Sequence, residues 1–141
     1  MTGELQAYTL DRTGRPPLAF EGEFLAGAYG DAYVRDPERG RWHDLELYRS
    51  RNGIYVIHIR YRSNWKEEVG FDEALTFPCP PDLVTVLGAW DPAAHLVGYP
   101  EGVEHWEKKQ ERLRGEIRAR FARCVSDLFA QLGPEFAERV E

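Results

Sequence analysis

The first half of the chain alternates between apolar and polar residues, which is the pattern of β-strands that bury one face. Gln6–Leu10 and Leu18–Tyr29 are the first two predicted strands, and Val69–Phe77 is the last. Segments rich in glycine, proline or polar residues, Asp11–Pro17 and Asn64–Gly70, separate strands. Because sequential strands with short connections usually lie side by side, we predict an antiparallel meander of four to five strands over about residues 5–77.

The second predicted strand has its apolar residues at even positions: Leu18, Phe20, Phe24, Ala26 and Ala28. Glu21 and Glu23 occupy odd positions between them. Successive side chains of a strand point to opposite faces, so this spacing predicts one apolar face along the whole strand. A polar loop, Gly30–Arg41, then leads to a central hairpin.

The Asn52-Gly53 dipeptide divides two alternating segments and is typical of a hairpin turn. A two-residue loop would pair Arg51 with Ile54 and mix apolar and polar residues on both faces. A three-residue loop pairs Ser50 with Ile54 and gives Gly53 the left-handed position of a bulged turn. It also collects the apolar residues on one face: Leu45, Leu47, Tyr55, Ile57, Ile59 and Tyr61. We therefore predict the three-residue loop, because a slip of one residue would lose that face.

The other face of the predicted hairpin carries polar cross-strand pairs: Glu46 with His58, Asp44 with Arg60, and Trp42 with Arg62. A solvated sheet face explains these residues without any function, since each such pair stabilises a sheet by roughly 0.2–1 kcal/mol. Asp44, Glu46 and His58 are also the smallest set that could hold a divalent cation in a metal-dependent nuclease. No E-x-K or H-x-E signature accompanies them, so catalysis is the less favoured interpretation.

The second half of the chain changes to helical spacing. Pro80 and Pro81 lie near the start of a predicted short helix over about residues 81–89. Apolar residues then recur every three or four positions from Glu101 to Leu132, and Gly133-Pro134 ends the pattern. We predict one helix over about residues 101–132, which would be about 48 Å long. Strands followed by helices indicate an α+β fold in which the long helix covers the apolar face of the hairpin.

Composition indicates one globular domain over residues 1–141, with 43% hydrophobic and 30% charged residues. Two isolated cysteines, Cys79 and Cys124, form no disulfide framework. No apolar run approaches the roughly 18 residues of a membrane span, and the N-terminus lacks the apolar core of a secretory signal. Arginine outnumbers lysine 15 to 3, as in proteins from GC-rich prokaryotic genomes. We therefore expect a cytoplasmic bacterial protein that needs no membrane.

Positive charge is concentrated around the hairpin, although the whole chain carries a net charge of −6. Residues 35–66 hold 8 Lys and Arg against 4 Asp and Glu, with Arg35, Arg39 and Arg41 in the loop. Arginines and aromatic residues interleave there: Arg49, Arg51, Arg60 and Arg62 with Trp42, Tyr48 and Trp65. Cationic grooves with aromatic platforms bind single-stranded nucleic acid, so a nucleic-acid-binding accessory protein is one alternative function. Arg60 already faces a carboxylate in the predicted register, which weakens it as a phosphate ligand.

Motifs for cofactors and nucleophiles are not legible in the sequence. It contains no glycine-rich phosphate loop and no cysteine or histidine spacing typical of a metal site, so we predict neither a cofactor nor a metal. Cys124 falls on the apolar stripe of the long helix, where a small buried residue is expected.

The predicted long helix is the basis of the leading functional hypothesis. Its first half is mostly charged, whereas its second half is densely apolar. Four residues along its stripe are the predicted interface: Trp106, Leu113, Ile117 and Phe121. We expect a non-catalytic interaction or regulatory accessory module, which associates with a protein partner or a second copy through this helix or a sheet edge.

Overall fold

The computed structural model describes residues 4–33, 40–65, 68–97 and 102–138. Its elements are β1 (Gln6–Arg12), β2 (Arg15–Tyr29), β3 (Arg41–Ser50), β4 (Tyr55–Ser63), β5 (Phe71–Phe77), α1 (Asp82–Ala89) and α2 (Trp106–Phe129), with single 3₁₀ turns at Gly30–Tyr33 and Pro134–Phe136. The five strands form one antiparallel sheet in the order β1-β2-β3-β4-β5. The predicted α+β meander is confirmed.

The central hairpin has the predicted register. β3 and β4 pair from Arg41 opposite Ser63 to Arg49 opposite Tyr55. Three residues form the loop, and Gly53 has a φ of 82°, a left-handed conformation that costs other residues energy. The sequence predicted this turn correctly because only this register separates the apolar face from the polar one.

A β-bulge at Leu25 reverses the two faces of β2. Phe24 lies opposite Tyr48, but Ala26 lies opposite Leu47, so Leu25 is an extra residue in β2. Leu18, Phe20 and Phe24 therefore share a face with Tyr48, whereas Ala26 and Ala28 share the opposite face with Leu47. The prediction of one apolar face along the whole strand was wrong, since a bulge shifts the alternation by one residue.

The helices cover one face of the sheet, which we call the outer face. Leu45, Leu47, Ile57 and Ile59 are fully buried there, as predicted. The core around them is completed by residues of β2, β5 and the C-terminal half: Ala26, Ala28, Phe77, Leu83, Leu87, Phe121, Cys124, Leu128 and Phe136. Burial of each large apolar side chain stabilises the fold by about 1.5–3 kcal/mol, so this face anchors the helices.

The opposite face of the sheet, which we call the inner face, lies inside a curl. Thr13 N donates to Asp72 O over 2.7 Å, which brings the end of β1 to the start of β5. A second core forms within the curl from four strands: Leu10, Tyr48, Val56 and Ala74. The polar face of the hairpin is therefore the lining of a curled sheet, and the curl buries part of it.

The long helix differs from expectation at both ends, since it runs from Trp106 to Phe129. α1 lies where the short helix was predicted, but α2 begins at Trp106 and has 24 residues, about 36 Å. His105 precedes it with a φ of 57°, which ends the helical path there. Position 101, the predicted start, lies outside the described residues, as do Arg35 and Arg39 in the predicted loop. Neither α1 nor α2 is both long enough and apolar enough to cross a bilayer, within the part of the chain described.

A buried ion pair joins the start of β3 to the segment before β5 and to the segment after α1. Arg41 Nε lies 2.9 Å from Glu68 Oε1, and both residues are buried. Tyr61 donates its hydroxyl hydrogen to the same carboxylate. Val97 N donates to Glu68 over 2.9 Å, and Arg41 donates to Val97 O over 3.2 Å. The Arg41 guanidinium also stacks on Trp65, 4.4 Å from the ring centroid. Every charged group of the pair is thus hydrogen-bonded.

We expect Glu68→Gln to destabilise the protein by about 3 kcal/mol, because it leaves the buried Arg41 charge without a counter-ion. Glu21→Gln is the matched control, since Glu21 pairs with Arg51 over 3.3 Å at an exposed site. That control should cost no more than about 0.5 kcal/mol. Urea unfolding at pH 7 measures both values, and equal losses would contradict this account of the buried pair.

His43 is a buried histidine on the outer face, 2% exposed. Its ring lies 5.1 Å from Tyr61 and 5.0 Å from Phe121. Among the residues described, Nε2 has no hydrogen-bond partner. Burial, with a smaller contribution from His95, lowers the pKa of His43 to about 4. The folded protein therefore holds this side chain neutral.

We expect the stability of the protein to fall as the pH drops from 6.5 to about 4, because the unfolded chain protonates His43 in that range and the folded chain does not. The loss from His43 alone is about 3 kcal/mol. His43→Phe should flatten this slope in urea unfolding between pH 7.5 and 4. Part of the slope should remain, since burial also lowers the pKa values of His58 and His95. Identical slopes for the two proteins would overturn the assignment to His43.

Candidate functional site

Six of the predicted nucleic-acid contacts, the arginines and tryptophans of the hairpin and its flank, do not form one surface. Trp42, Arg60 and Arg62 occupy inner-face positions of β3 and β4, as the hairpin register requires. Arg49 occupies an outer-face position, and Arg51 lies in the loop. Trp65 lies against Arg41 of the buried ion pair. The structure brings half of the set together and places the other half elsewhere.

Each described arginine of this set has a carboxylate partner: Arg49 with Glu23, Arg51 with Glu21, Arg60 with Glu46, and Arg62 with Asp72. The Arg62–Asp72 contact is an ion pair of 3.0 Å without an aligned hydrogen bond. Tyr48, another predicted platform, is buried in the inner core. These pairs cancel the positive charge that a nucleic-acid groove needs, so the arrangement does not favour that function.

Asp44, Glu46 and His58 lie near one another on the inner face, as predicted, but their polar atoms are engaged within the chain. Asp44 Oδ1 accepts from Gly30 N over 3.3 Å. Glu46 accepts hydrogen bonds from Arg60 and, over 3.1 Å, from the Tyr29 hydroxyl. Within the described ranges, no three His, Cys, Asp or Glu side chains are placed to hold a metal ion.

His58 extends the same network under the curl. Its Nδ1 accepts from Arg60 Nε over 3.3 Å, so its Nε2 carries the hydrogen and donates to Asp11 O over 3.1 Å. Burial lowers the pKa of His58, which fits a neutral ring. The side chain is 4% exposed and lies beneath β1. Its role is to join β1 to β4.

The curl covers only part of the inner face. Tyr48, Val56, Ala74 and His58 are buried beneath β1. In contrast, Phe24 is 45% exposed and Tyr29 48% exposed on the same face of the sheet. We call the open part the floor and define it by five residues: Phe24, Tyr29, Trp42, Glu46 and Arg60. Aromatic rings border a central ion pair on this concave surface.

Gly27 positions the two exposed rings of the floor. A Cβ atom at this residue would lie 2.6 Å from Tyr29 Oη and 3.0 Å from Phe24 Cζ, so both rings close over the space that a side chain would need. The Phe24 ring also meets the buried Tyr48 ring edge-on, with centroids 5.6 Å apart. The hydroxyl of Tyr29 is held by Glu46. These contacts hold both rings in place, although nearly half of each side chain is exposed to solvent.

Gln131, which follows α2, secures this part of β2 from the side. β1 pairs with β2 only as far as Gly22, so the later edge of β2 has lost its neighbouring strand. Gln131 accepts from Gly27 N over 3.3 Å and donates to Gly27 O over 2.7 Å. One side-chain amide thus replaces a strand partner at the residue beneath the two rings.

The charges of the floor are balanced. Arg60 and Glu46 form an ion pair that is partly solvent-accessible. Burial raises the pKa of Asp44 beside them, and the Gly30 N–H partly opposes that shift. The floor therefore combines aromatic surface, hydrogen-bond donors on Arg60 and acceptors on Glu46, without an excess of either charge.

Sequence reasoning identified Trp42, Glu46 and Arg60 but missed Phe24 and Tyr29. The missed pair follows from the bulge, which moved Phe24 away from the alanines of the outer core. A signal was available, because Leu25-Ala26 breaks the alternation and Gly27 follows within the strand.

Part of the predicted helix interface is buried within the chain. Ile117 and Phe121 are 2% and 6% exposed, so they are core residues and not a free surface. The burial of both residues within the chain leaves little of their surface for a partner, and Phe121 packs with outer-core residues of β2 and β3. Trp106 and Leu113 remain half-buried on the first turns of α2. Cys124 is buried as predicted, with Sγ 3.3 Å from Ala28 O.

We expect Tyr29→Phe to lower the free energy of unfolding by about 1 kcal/mol, because it removes the hydrogen bond to Glu46. Tyr8→Phe is the control, since the Tyr8 hydroxyl contacts only the exposed Gln6 side chain, at 3.4 Å, among the described residues. The control should change stability by less than about 0.5 kcal/mol. Equal effects in urea unfolding would mean that the Tyr29 hydroxyl does not fix the ring.

Comparisons with protein-family models, with curated proteins and with solved structures find no match to this chain.

Proposed function

We propose that this chain is a non-catalytic binding module that takes up a partner molecule on the floor of its sheet. The observation that carries the proposal is the pair of large aromatic side chains, Phe24 and Tyr29, held rigidly with nearly half of their surface exposed. Such residues are usually buried, and exposed clusters of them often mark binding sites. Rigid aromatic groups lose little conformational entropy when they bind.

The floor is a better candidate than the C-terminal helix. The sequence-based expectation of a protein partner or homo-oligomer rested on α2, yet its stripe from Phe121 onward is used by the outer core. The edge of β2 is also occupied at Gly27 by Gln131. The free edge of β1 pairs with no described strand. Among the described residues, Leu5 is the one large apolar side chain exposed next to this strand. The floor concentrates more rigid apolar surface than either.

The hydrogen bonds of the polar residues on the inner face support binding over catalysis. Asp44, Glu46 and His58 each have hydrogen-bond partners within the protein, and His58 is covered by β1. Such a network positions groups for recognition, whereas a metal site needs carboxylates that are free to coordinate. The cytoplasm of a bacterium stays the proposed setting, on the basis of the isolated cysteines and the arginine-rich composition.

We expect the double variant Phe24→Ala/Tyr29→Ala to lose what the wild-type protein captures from a host lysate. Ile54→Ala is the matched control, because Ile54 is similarly exposed but lies at the hairpin loop, outside the floor. Captured protein, nucleic acid and glycan are quantified for all three immobilised chains. The proposal predicts at least one species retained by wild type and Ile54→Ala and reduced about tenfold on the double variant. The same species in equal amounts on all three chains would contradict it, provided that urea unfolding shows all three to be folded.

A further inference from the structure

We infer that the floor recognises a neutral oligosaccharide. This inference rests on the proposed binding function and names the chemical class of the ligand. Three features of the floor carry it: the two half-exposed aromatic side chains, the central donor–acceptor pair and the balance of charge.

The aromatic faces select a ligand with a flat, weakly polar surface. One face of a pyranose ring presents mainly C–H groups, which pack on the electron-rich face of an aromatic ring. Phe24 and Tyr29 follow one another along β2 with only Gly27 on their face between them. Two ring faces in succession along a strand suit a ligand with repeating rings, such as a sugar chain. Trp42, half-buried on the same face of β3, follows the position of Asp44, the partner of Tyr29, toward the start of that strand and adds a third aromatic group at that end of the floor.

The central pair selects hydroxyl groups. An ionised carboxylate only accepts hydrogen bonds and a guanidinium only donates them, whereas a hydroxyl does both. A sugar hydroxyl can therefore donate to Glu46 while it, or its neighbour on the ring, accepts from Arg60. Both side chains keep some exposure, 14% for Glu46 and 31% for Arg60, so a ligand on the floor can reach them.

The balance of charge argues against a polyanion. Arg60 and Arg62, the arginines on the inner face of the hairpin, are each paired with a carboxylate. A nucleic acid gains most of its affinity from phosphate contacts with unpaired basic residues. The chain as a whole carries a net charge of −6, which adds repulsion. Base stacking on Phe24 and Tyr29 would therefore lack the electrostatic component that usually accompanies it.

The ion pair also argues against an apolar protein segment. Apolar side chains laid over Glu46 and Arg60 would strip water from both charges and return no hydrogen bonds. Hydroxyl groups replace that water directly. A neutral ligand that is both flat and rich in hydroxyls is the chemical class that satisfies the rings and the ion pair together.

The test is an NMR titration of the ¹⁵N-labelled full chain with cellohexaose, chitohexaose, mannohexaose and xylohexaose, each to about 10 mM, and with a twelve-nucleotide oligothymidylate at low salt. Trp42→Phe assigns the Trp42 indole N–H among the four tryptophans. We expect at least one oligosaccharide to shift this signal and the amides of Gly27 and Tyr29, with a Kd below about 1 mM. Phe24→Ala should weaken that binding about tenfold, and Tyr29→Phe less, because it keeps the ring. Ile54→Ala should leave it unchanged.

The absence of any shift at the floor with all four sugars would overturn the inference, whether or not the oligothymidylate gives saturable shifts there. Binding of a sugar that survives Phe24→Ala would also overturn it, since the ligand would then sit elsewhere. The lysate experiment separates this failure from failure of the proposed function. If the lysate yields a protein or nucleic acid whose capture depends on Phe24 and Tyr29, the proposed binding function stands and only the inference of a sugar ligand fails.

Discussion

The extra residue at Leu25 is the constraint on which both faces of the sheet depend. It places Ala26 and Ala28 toward α2, where the helix approaches so closely that Cys124 Sγ lies 3.3 Å from Ala28 O. Large side chains at these two positions would hold the helix away from the sheet. The same shift assigns Phe24 and Tyr29 to the inner face. Without it, small residues would line the inner face and the Tyr29 ring would be forced under the helix.

One sheet therefore supports two separate cores. The outer core is built by non-local contacts between the helices and the middle strands, and the inner core by the curl of β1 over β3 and β4. The buried Arg41–Glu68 pair closes the end where β3 begins and where the segment after α1 returns. Since replacing such a pair with apolar residues is often neutral or stabilising, its contribution is best understood as fixing which segments meet.

The sequence was sufficient for those parts of the fold that are set by local periodicity. Alternation, the position of Gly53 and the separation of apolar from polar residues determined the hairpin register, and with it the shared face of Trp42, Glu46 and Arg60. The bulge was not predicted, because an extra residue is decided by how the helix and the curl pack. The sequence placed the start of α2 too early. Residues at helical spacing extend the pattern to the N-terminal side of His105, where the chain turns out of the helical path.

The floor could be predicted only in part for the same reason. Its polar centre follows from pairing within one hairpin, whereas its aromatic border depends on β2, whose faces are exchanged at Leu25. The curl also cannot be predicted from the alternation of apolar and polar residues. Alternation indicates which residues share a face, but not whether that face is open, covered or folded back on itself.

The seam between Thr13 and Asp72 has a consequence for the order of assembly. It joins residues 59 positions apart in sequence, so forming it costs more chain entropy than forming any of the short hairpins. The five residues of the floor lie on β2, β3 and β4, which are consecutive in the chain, whereas the contact of Gln131 with Gly27 requires α2 to be in place. We therefore expect the three strands to pair before the sheet curls shut, and the floor to be completed when α2 packs. Pairing of the strands and closure of the curl are then separate steps in folding, and the proposed binding surface lies on the strands that pair first.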